Sequence, residues 1–332
     1  MVWFHGGAYM SGSGEAAKYD PELLVAEGRV VVVRVSYRLG IFGYLNPCAD
    51  GDENLGLRDQ IVALRWIQQH IAAFGGDPSR ITVFGQSAGG DSAFSLILSA
   101  ETTGLFDRAI IQSAPLGLRD GRGAMTTAMR EAAIEALGGL APHEAGVENL
   151  FHAQTTAVAT AQRFGLRGGL PFAPIAGLDP LPAAVETNRR LAEKAPRVEI
   201  LVGYARNDAR PFLVMNPRTR KLQRLGVTGP VDAVLTRRIF GAPAHELART
   251  WTSNGGNAAT YRVDWSPPGA PLRACHCIEL PLMFGSRAWA DAPMLGPLPN
   301  AADVDLARRV RGYWSAFAHA GVAGLGVSSL RL

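Results

Sequence analysis

The chain has 332 residues, 47% of them hydrophobic and 19% charged, a mixture that supports a large buried core and excludes disordered and fibrous classes. Its formal charge of +4 comes from cations, nearly all arginine, spread among acids. No basic block interleaves with aromatics and no zinc-finger or RNA-binding motif occurs, which argues against a nucleic-acid partner.

Three cysteines, Cys48, Cys275 and Cys277, make neither a disulfide framework nor a zinc set, and a reducing compartment is the default. No apolar run approaches the length that spans a bilayer, and Met1 runs straight into "VWFHGG" without a leader. The chain as given therefore reads as soluble and cytoplasmic, with no membrane partner.

In chain order, "MVWF" predicts a first strand, followed by the glycine pair Gly6-Gly7. "RVVVVRVSY" at 29–37 predicts a second, and residues 55–74 place Leu57, Ile61, Leu64, Ile67, Ile71 and Phe74 on one helical face. Further strands are expected at "RITVFG" (80–85), "RAIIQSA" (108–114), "VEILVG" (198–203) and "ATYRV" (259–263). A late helix lines up Val304, Ala307, Val310, Trp314 and Phe317. Continuous Val/Ile runs suit strands covered on both faces, and their alternation with helices predicts an open, doubly wound, mostly parallel α/β sheet. Residues 115–195 and 204–258, rich in Ala, Arg, Gly and Pro, read as helical cap excursions within one domain spanning 1–332. In open α/β sheets ligands bind by the carboxyl ends of the strands, so a cap there would cover a pocket.

"FGQSAGG" fits GxSxG, with Gly85, Ser87 and Gly89 between the strand "ITVF" and the helical run "DSAFSLIL". Alone the pattern is weak, because serine and glycine also form ordinary turns. A serine on a sharp strand-to-helix turn, however, presents its Oγ above the sheet edge, with a helix N-terminus behind it that favours developing negative charge. Such a nucleophile needs backbone donors for an oxyanion, and "FHGGAYMSGS" offers Gly6 and Gly7, with Ala88 as a third donor beside Ser87. The plain alternative is that the two glycines only make a loop.

A base and an acid must follow in the order Ser, Asp or Glu, His. Of seven histidines, His5, His70, His143, His152, His245, His276 and His319, only His276 follows the last clear strand and precedes an apolar segment. For the acid, "VEILVGYARNDARPF" places Asp208 just beyond a strong strand. Glu279 competes, but its closeness to His276 in sequence suits a local ion pair better. Tyr9, Phe172, Phe212, Met215, Phe284 and Trp289 are candidate pocket-lining side chains, each equally suited to core packing.

These segments resemble the type-B carboxylesterases, the family that also contains the cholinesterases, over nearly the whole chain. The resemblance is strongest in "VWFHGGAYMSGS", "SYRLGIFGYL", "NLGLRDQIVALRWIQQHIAAFGGDPSRITVFGQSAGG", "PFAPIAGLDPLP", "LVGYARNDARPFLV" and "ACHCIELPLMFG". It implies an α/β-hydrolase fold that cleaves carboxylic esters of small molecules through an acyl-enzyme, at the bottom of an apolar gorge, without metal or organic cofactor. It assigns Ser87 as nucleophile, His276 as base, Asp208 as acid, and Gly6, Gly7 and Ala88 as oxyanion donors.

The departures are informative. The family usually carries a DE pair where this chain has Asn207-Asp208, so the acid is one methylene shorter. Many relatives have glutamate where this chain has Gln86, which argues against cationic substrates. Family members also have strands and a gorge wall before the HGG strand, so N-terminal strands are expected to be missing here and a sheet edge exposed. A parent product with an upstream segment would then be open to secretion. The alternatives are a hormone-sensitive-lipase-like esterase, matched only by the HGG and serine segments, an esterase-like interaction module with a dead site, and a poorly folding fragment.

Overall fold

The computed structural model describes residues 1–47, 53–216, 219, 224–225, 227–296 and 303–332, so Cys48 lies outside the described residues. Among the described residues seven strands form one sheet: β1 (Val2–Phe4), β2 (Val33–Val35), β3 (Thr82–Gln86), β4 (Arg108–Gln112), β5 (Glu199–Ala205), β6 (Ala258–Val263) and β7 (Ser329–Arg331). Their order is β2-β1-β3-β4-β5-β6-β7, and every pairing is parallel. Phe4 stands opposite Gly85, Gly85 opposite Ile111, and Ile111 opposite Val202.

Alternate residues of each strand enter different cores, as a period of two requires. Phe4, Val83, Ile111 and Val202 face one apolar layer; Trp3, Phe84, Ile110 and Leu201 face the other. The sheet is therefore covered on both sides, which explains why its central strands read as unbroken apolar runs. The run at 29–37 contributes only three residues to the ladder, because β2 is an edge strand with a single neighbour. β7 closes the other edge of the sheet and pairs with β6.

The helices are α1 (Glu22–Gly28), α2 (Gly40–Tyr44), α3 (Leu55–His70), α4 (Ala88–Leu98), α5 (Gly123–Leu137) and α6 (Val147–Ala161). They continue with α7 (Thr187–Lys194), α8 (Arg210–Val214), α9 (Thr228–Thr236), α10 (Ala242–Ser253), α11 (Glu279–Phe284) and α12 (Val304–Leu325). The apolar face expected on α3 is buried from Leu57 to Ile71, but Phe74 is exposed at the end of a 3-10 turn that carries it off that face. On α12, Ala307, Val310, Trp314 and Phe317 are buried, while Val304, at the first helical position, is exposed.

Part of the second presumed cap excursion, 204–258, returns to the sheet. α10 buries Leu247 and Trp251 in the core, with the Trp251 indole N–H donating to the Val198 carbonyl at 2.7 Å. Parallel strands β5 and β6 need such a crossover, and α10 supplies its packed face. Among the described residues, no helix is long and apolar enough to cross a membrane.

Candidate active site

β3 ends at Gln86 and α4 begins at Ala88, leaving Ser87 to make the whole turn at φ 58°, ψ −120°. A non-glycine residue held there costs of order 1–3 kcal/mol and persists only when its surroundings fix it. Here the Ser87 N–H donates to the Gln112 carbonyl of β4 at 2.8 Å, and its carbonyl accepts from Asp91 N–H at 2.9 Å. The flanking glycines are required by approach: a Cβ on Gly85 would strike the Gly89 backbone, and one on Gly89 would strike the Phe4 carbonyl. The serine is thus held in its strained conformation by its neighbours.

The loop after β1 lies against this turn. A Cβ on Gly6 would meet the Gln86 carbonyl oxygen at 2.8 Å and the Ser87 Cβ at 3.3 Å. Gly7, Ala8 and Tyr9 then take positive φ of 124°, 56° and 58°, curling the backbone so that the Met10 and Ser11 N–H groups donate to the Gly7 carbonyl. Tyr37 braces the loop from below, stacking on His5 at 4.5 Å and donating its hydroxyl to the His5 carbonyl at 2.6 Å. Ala8, which the sequence reading left without a role, lines a cavity of about 600 Å³ together with Ser87 and His276. Ala88 is the first residue of α4, where a backbone N–H has no helical acceptor.

Asp208 and His276 come together across 68 residues. The His276 Nδ1 lies 2.6 Å from Asp208 Oδ1, and the second carboxylate oxygen accepts from Ala205 N–H at 2.9 Å. Asp208 is fully buried, so both oxygens are held by protein. The acid loop is joined to the histidine loop by Asn207 N–H donating to the Ala274 carbonyl at 2.8 Å. It is also joined to α9, where Asp232, fully buried, accepts from Asn207 Nδ2 at 2.8 Å and from Thr236 Oγ1 at 3.0 Å. Thr236 Oγ1 in turn accepts from Ala209 N–H at 2.9 Å. No motif in the sequence announces Asp232; only the fold shows it under the acid.

On its other side the imidazole meets an amide. Gln86 Nε2 lies 3.2 Å from His276 Nε2, and the Cys277 thiol donates to Gln86 Oε1 at 3.2 Å. Ser87 and His276 open onto the same cavity without a direct hydrogen bond between them. The rings of Phe212 and Phe240 flank the imidazole, with centroids 5.2 and 5.4 Å away.

Glu279 makes no ion pair among the described residues, contrary to the expectation that it would hold the local loop through one. It is fully buried at the start of α11, within 3.5 Å of the Gln112 Nε2, and its other oxygen has no partner. Burial, reinforced by the nearby Asp208 charge, pushes its carboxyl up to about 7.

Of the expected lining aromatics, Phe212 reaches the cavity. Tyr9, Phe172 and Phe284 are core residues instead: large aromatic surface is most favourably removed from water, and each found a core to fill. Trp289 packs in the Trp3 layer with its N–H on the Lys18 carbonyl at 2.8 Å and does not line the cavity. Met215 is exposed, and its neighbours Asn216 and Thr219 line the cavity in its place.

A serine at a strand-to-helix turn of a doubly wound parallel sheet, with an Asp–His pair on the loops after β5 and β6, defines an α/β-hydrolase. The sequence pattern of the carboxylesterase family matches residues 1–228. A probable N-octanoylanthranilate hydrolase AqdA2 of Rhodococcus erythropolis is 42% identical over 332 residues, covering 97% of this chain and 72% of that protein. The para-nitrobenzyl esterase of Bacillus subtilis (strain 168) is 31% identical over 355 residues, covering 97% of this chain and 70% of its own. Among solved structures, a thermophilic pNB esterase superimposes with a TM-score of 0.78 at 29% identity, over 97% of this chain and 71% of that one. The chain belongs to the carboxylesterase family, and its activity is carboxylic-ester hydrolysis.

Proposed function

We propose that hydrolysis proceeds through an acyl-enzyme on Ser87. The supporting observation is the 2.6 Å Asp208–His276 pair opening onto the cavity that Ser87 lines. His276 Nε2 takes the proton as Ser87 Oγ attacks the ester carbonyl, and the same proton leaves with the alcohol; water then enters by the reverse route and releases the acid. Asp208 holds the Nδ1–H tautomer and stabilises the imidazolium. We assign the oxyanion donors to Gly7, Ala8 and Ala88 rather than to Gly6; the assignment is supported by Ala8 lining the cavity beside Ser87 and by the packing of Gly6 against the Gln86 carbonyl.

The described cavity lining holds no Asp, Glu, Lys or Arg, and Leu118, Leu170, Leu213, Ile239 and Phe240 dominate its wall. That surface suits an uncharged aliphatic acyl group of medium length, in keeping with a relative named for an N-octanoyl substrate. Ser87→Ala is expected to abolish both turnover of a chromogenic aryl ester and labelling by a fluorophosphonate; hydrolysis by that variant at the wild-type rate overturns the mechanism. A series of p-nitrophenyl esters should peak at medium chain length, and a maximum at acetate would overturn the acyl assignment.

A further inference from the structure

From the chain of contacts around the imidazole we infer that Gln86 and Cys277 form an orienting relay, in which the thiol fixes the amide and the amide keeps a proton off His276 Nε2 in the resting site. The inference rests on His276 being the base. Gln86 is fully buried, so its amide must satisfy both ends inside the protein. A thiol is a donor, and the Cys277 Sγ lies 3.2 Å from the Gln86 oxygen. Burial, with Glu279 nearby, raises this thiol well above its ordinary range, so the proton to donate is retained.

With its oxygen occupied, the amide turns its NH2 to the ring, 3.2 Å from Nε2. An NH2 group has only donors to offer, so Nε2 must present its lone pair and the ring proton must sit on Nδ1, against Asp208. Every contact in the series Cys277, Gln86, His276, Asp208 then has one donor and one acceptor. The neutral ring in its catalytic tautomer is the only state that satisfies all of them. Ser87 engages the base by displacing the amide.

The charged and titratable groups facing the ring are few. Asp208, on the loop after β5, favours the imidazolium, as does Glu279, on α11, when ionised. Cys275 and Cys277 flank the ring on its own loop, Arg210 and Lys18 act on those thiols, and the cap contributes the neutral Phe212 and Phe240. Gln86 is thus the group opposing the carboxylates, because a donor aimed at the neutral ring disfavours its protonation. A glutamate in its place would accept from the protonated ring and reverse that effect. Gln86 and Cys277 are positioning residues, since they act through His276.

The experiment is the pH dependence of kcat/KM on a chromogenic ester for the full chain and its Gln86→Met, Gln86→Glu, Cys277→Ala and Cys277→Ser variants. The acid limb is expected to move to higher pH by about half a unit in Gln86→Met and by about one unit or more in Gln86→Glu. Cys277→Ala, which frees the amide to flip, should move it the same way, and Cys277→Ser, which restores a donor, should return it. Acid limbs coinciding within about 0.2 unit across the set, in proteins that still take a fluorophosphonate on Ser87, overturn the relay. If the Gln86 variants fail to fold, the Cys277→Ala and Cys277→Ser pair decides alone. Failure of the underlying reading looks different: His276→Ala would then keep both the labelling and the acid limb.

Discussion

The Tyr9 hydroxyl donates to Asp91 Oδ2 at 2.7 Å, tying the loop after β1 to the first turn of α4. Asp91 is buried, and its other oxygen accepts from Arg119 at 2.5 Å, with the Arg119 guanidinium also bonded to Ser95. The two backbone segments that flank the serine are therefore held in register by one carboxylate. Tyr9→Phe is expected to cost about 2 kcal/mol, the worth of a buried hydrogen bond to a charged group, and to lower kcat/KM by loosening the oxyanion loop. Urea denaturation and steady-state kinetics measure the two effects; an unchanged unfolding midpoint contradicts the account.

Asp208→Asn keeps the shape of the acid but can offer an amide N–H to Nδ1, selecting the wrong tautomer. The expected loss in kcat is about 10³- to 10⁴-fold with the fold intact. A loss of less than about tenfold, with circular dichroism unchanged, would remove Asp208 from the mechanism.

Gly89→Ala tests the close approach of α4 to β1. Since the added Cβ would occupy the place of the Phe4 carbonyl oxygen, helix and strand must separate. A destabilisation of about 4 kcal/mol or more is expected, seen as a fall in melting temperature or in soluble yield. A near-native melting temperature would show that the turn tolerates a side chain.

Glu279 binds its proton more tightly in the folded state than in the unfolded chain, its carboxyl having been raised from 4.5 to about 7. The stability that this confers is complete below pH 4.5 and is lost as pH rises through 7, because ionisation then charges a buried group. Glu279→Gln removes the dependence. Relative to the variant, the wild type should lose on the order of 2–3 kcal/mol between pH 4 and pH 8, read from denaturation at several pH values. Parallel curves for the two proteins would exclude this role.

The strand-to-helix turn at Ser87 was legible because glycines surround a serine after a β-branched run, and the loop at Asp208 because it lies just past a strong strand. The sheet was legible for the same reason, since Val/Ile runs covered on both faces leave an unbroken apolar trace. Tyr9, Phe172 and Phe284 were not, because an aromatic ring suits a pocket wall and a core equally, and only the position of the facing layers decides between them. The contact of Gln86 with His276 spans 190 residues, and the sequence revealed only that a charge is absent before the serine. Asp232 gave no signal, as its meaning comes wholly from what lies above it. β7, three residues long and half exposed, is too short to rise above the surrounding Gly/Ser composition.

The buried carboxylate of Asp232 joins α9, which carries part of the cavity wall through Leu235, to the loop that carries Asn207 and Asp208. Substrate scope and speed are therefore expected to be geared to one another in this protein. Reshaping the roof at 228–236 to admit a bulkier acyl chain will tug on the tilt of the imidazole, so variants chosen for a new preference should arrive already slowed, and regaining their pace will call for second changes near Asn207 rather than in the pocket itself.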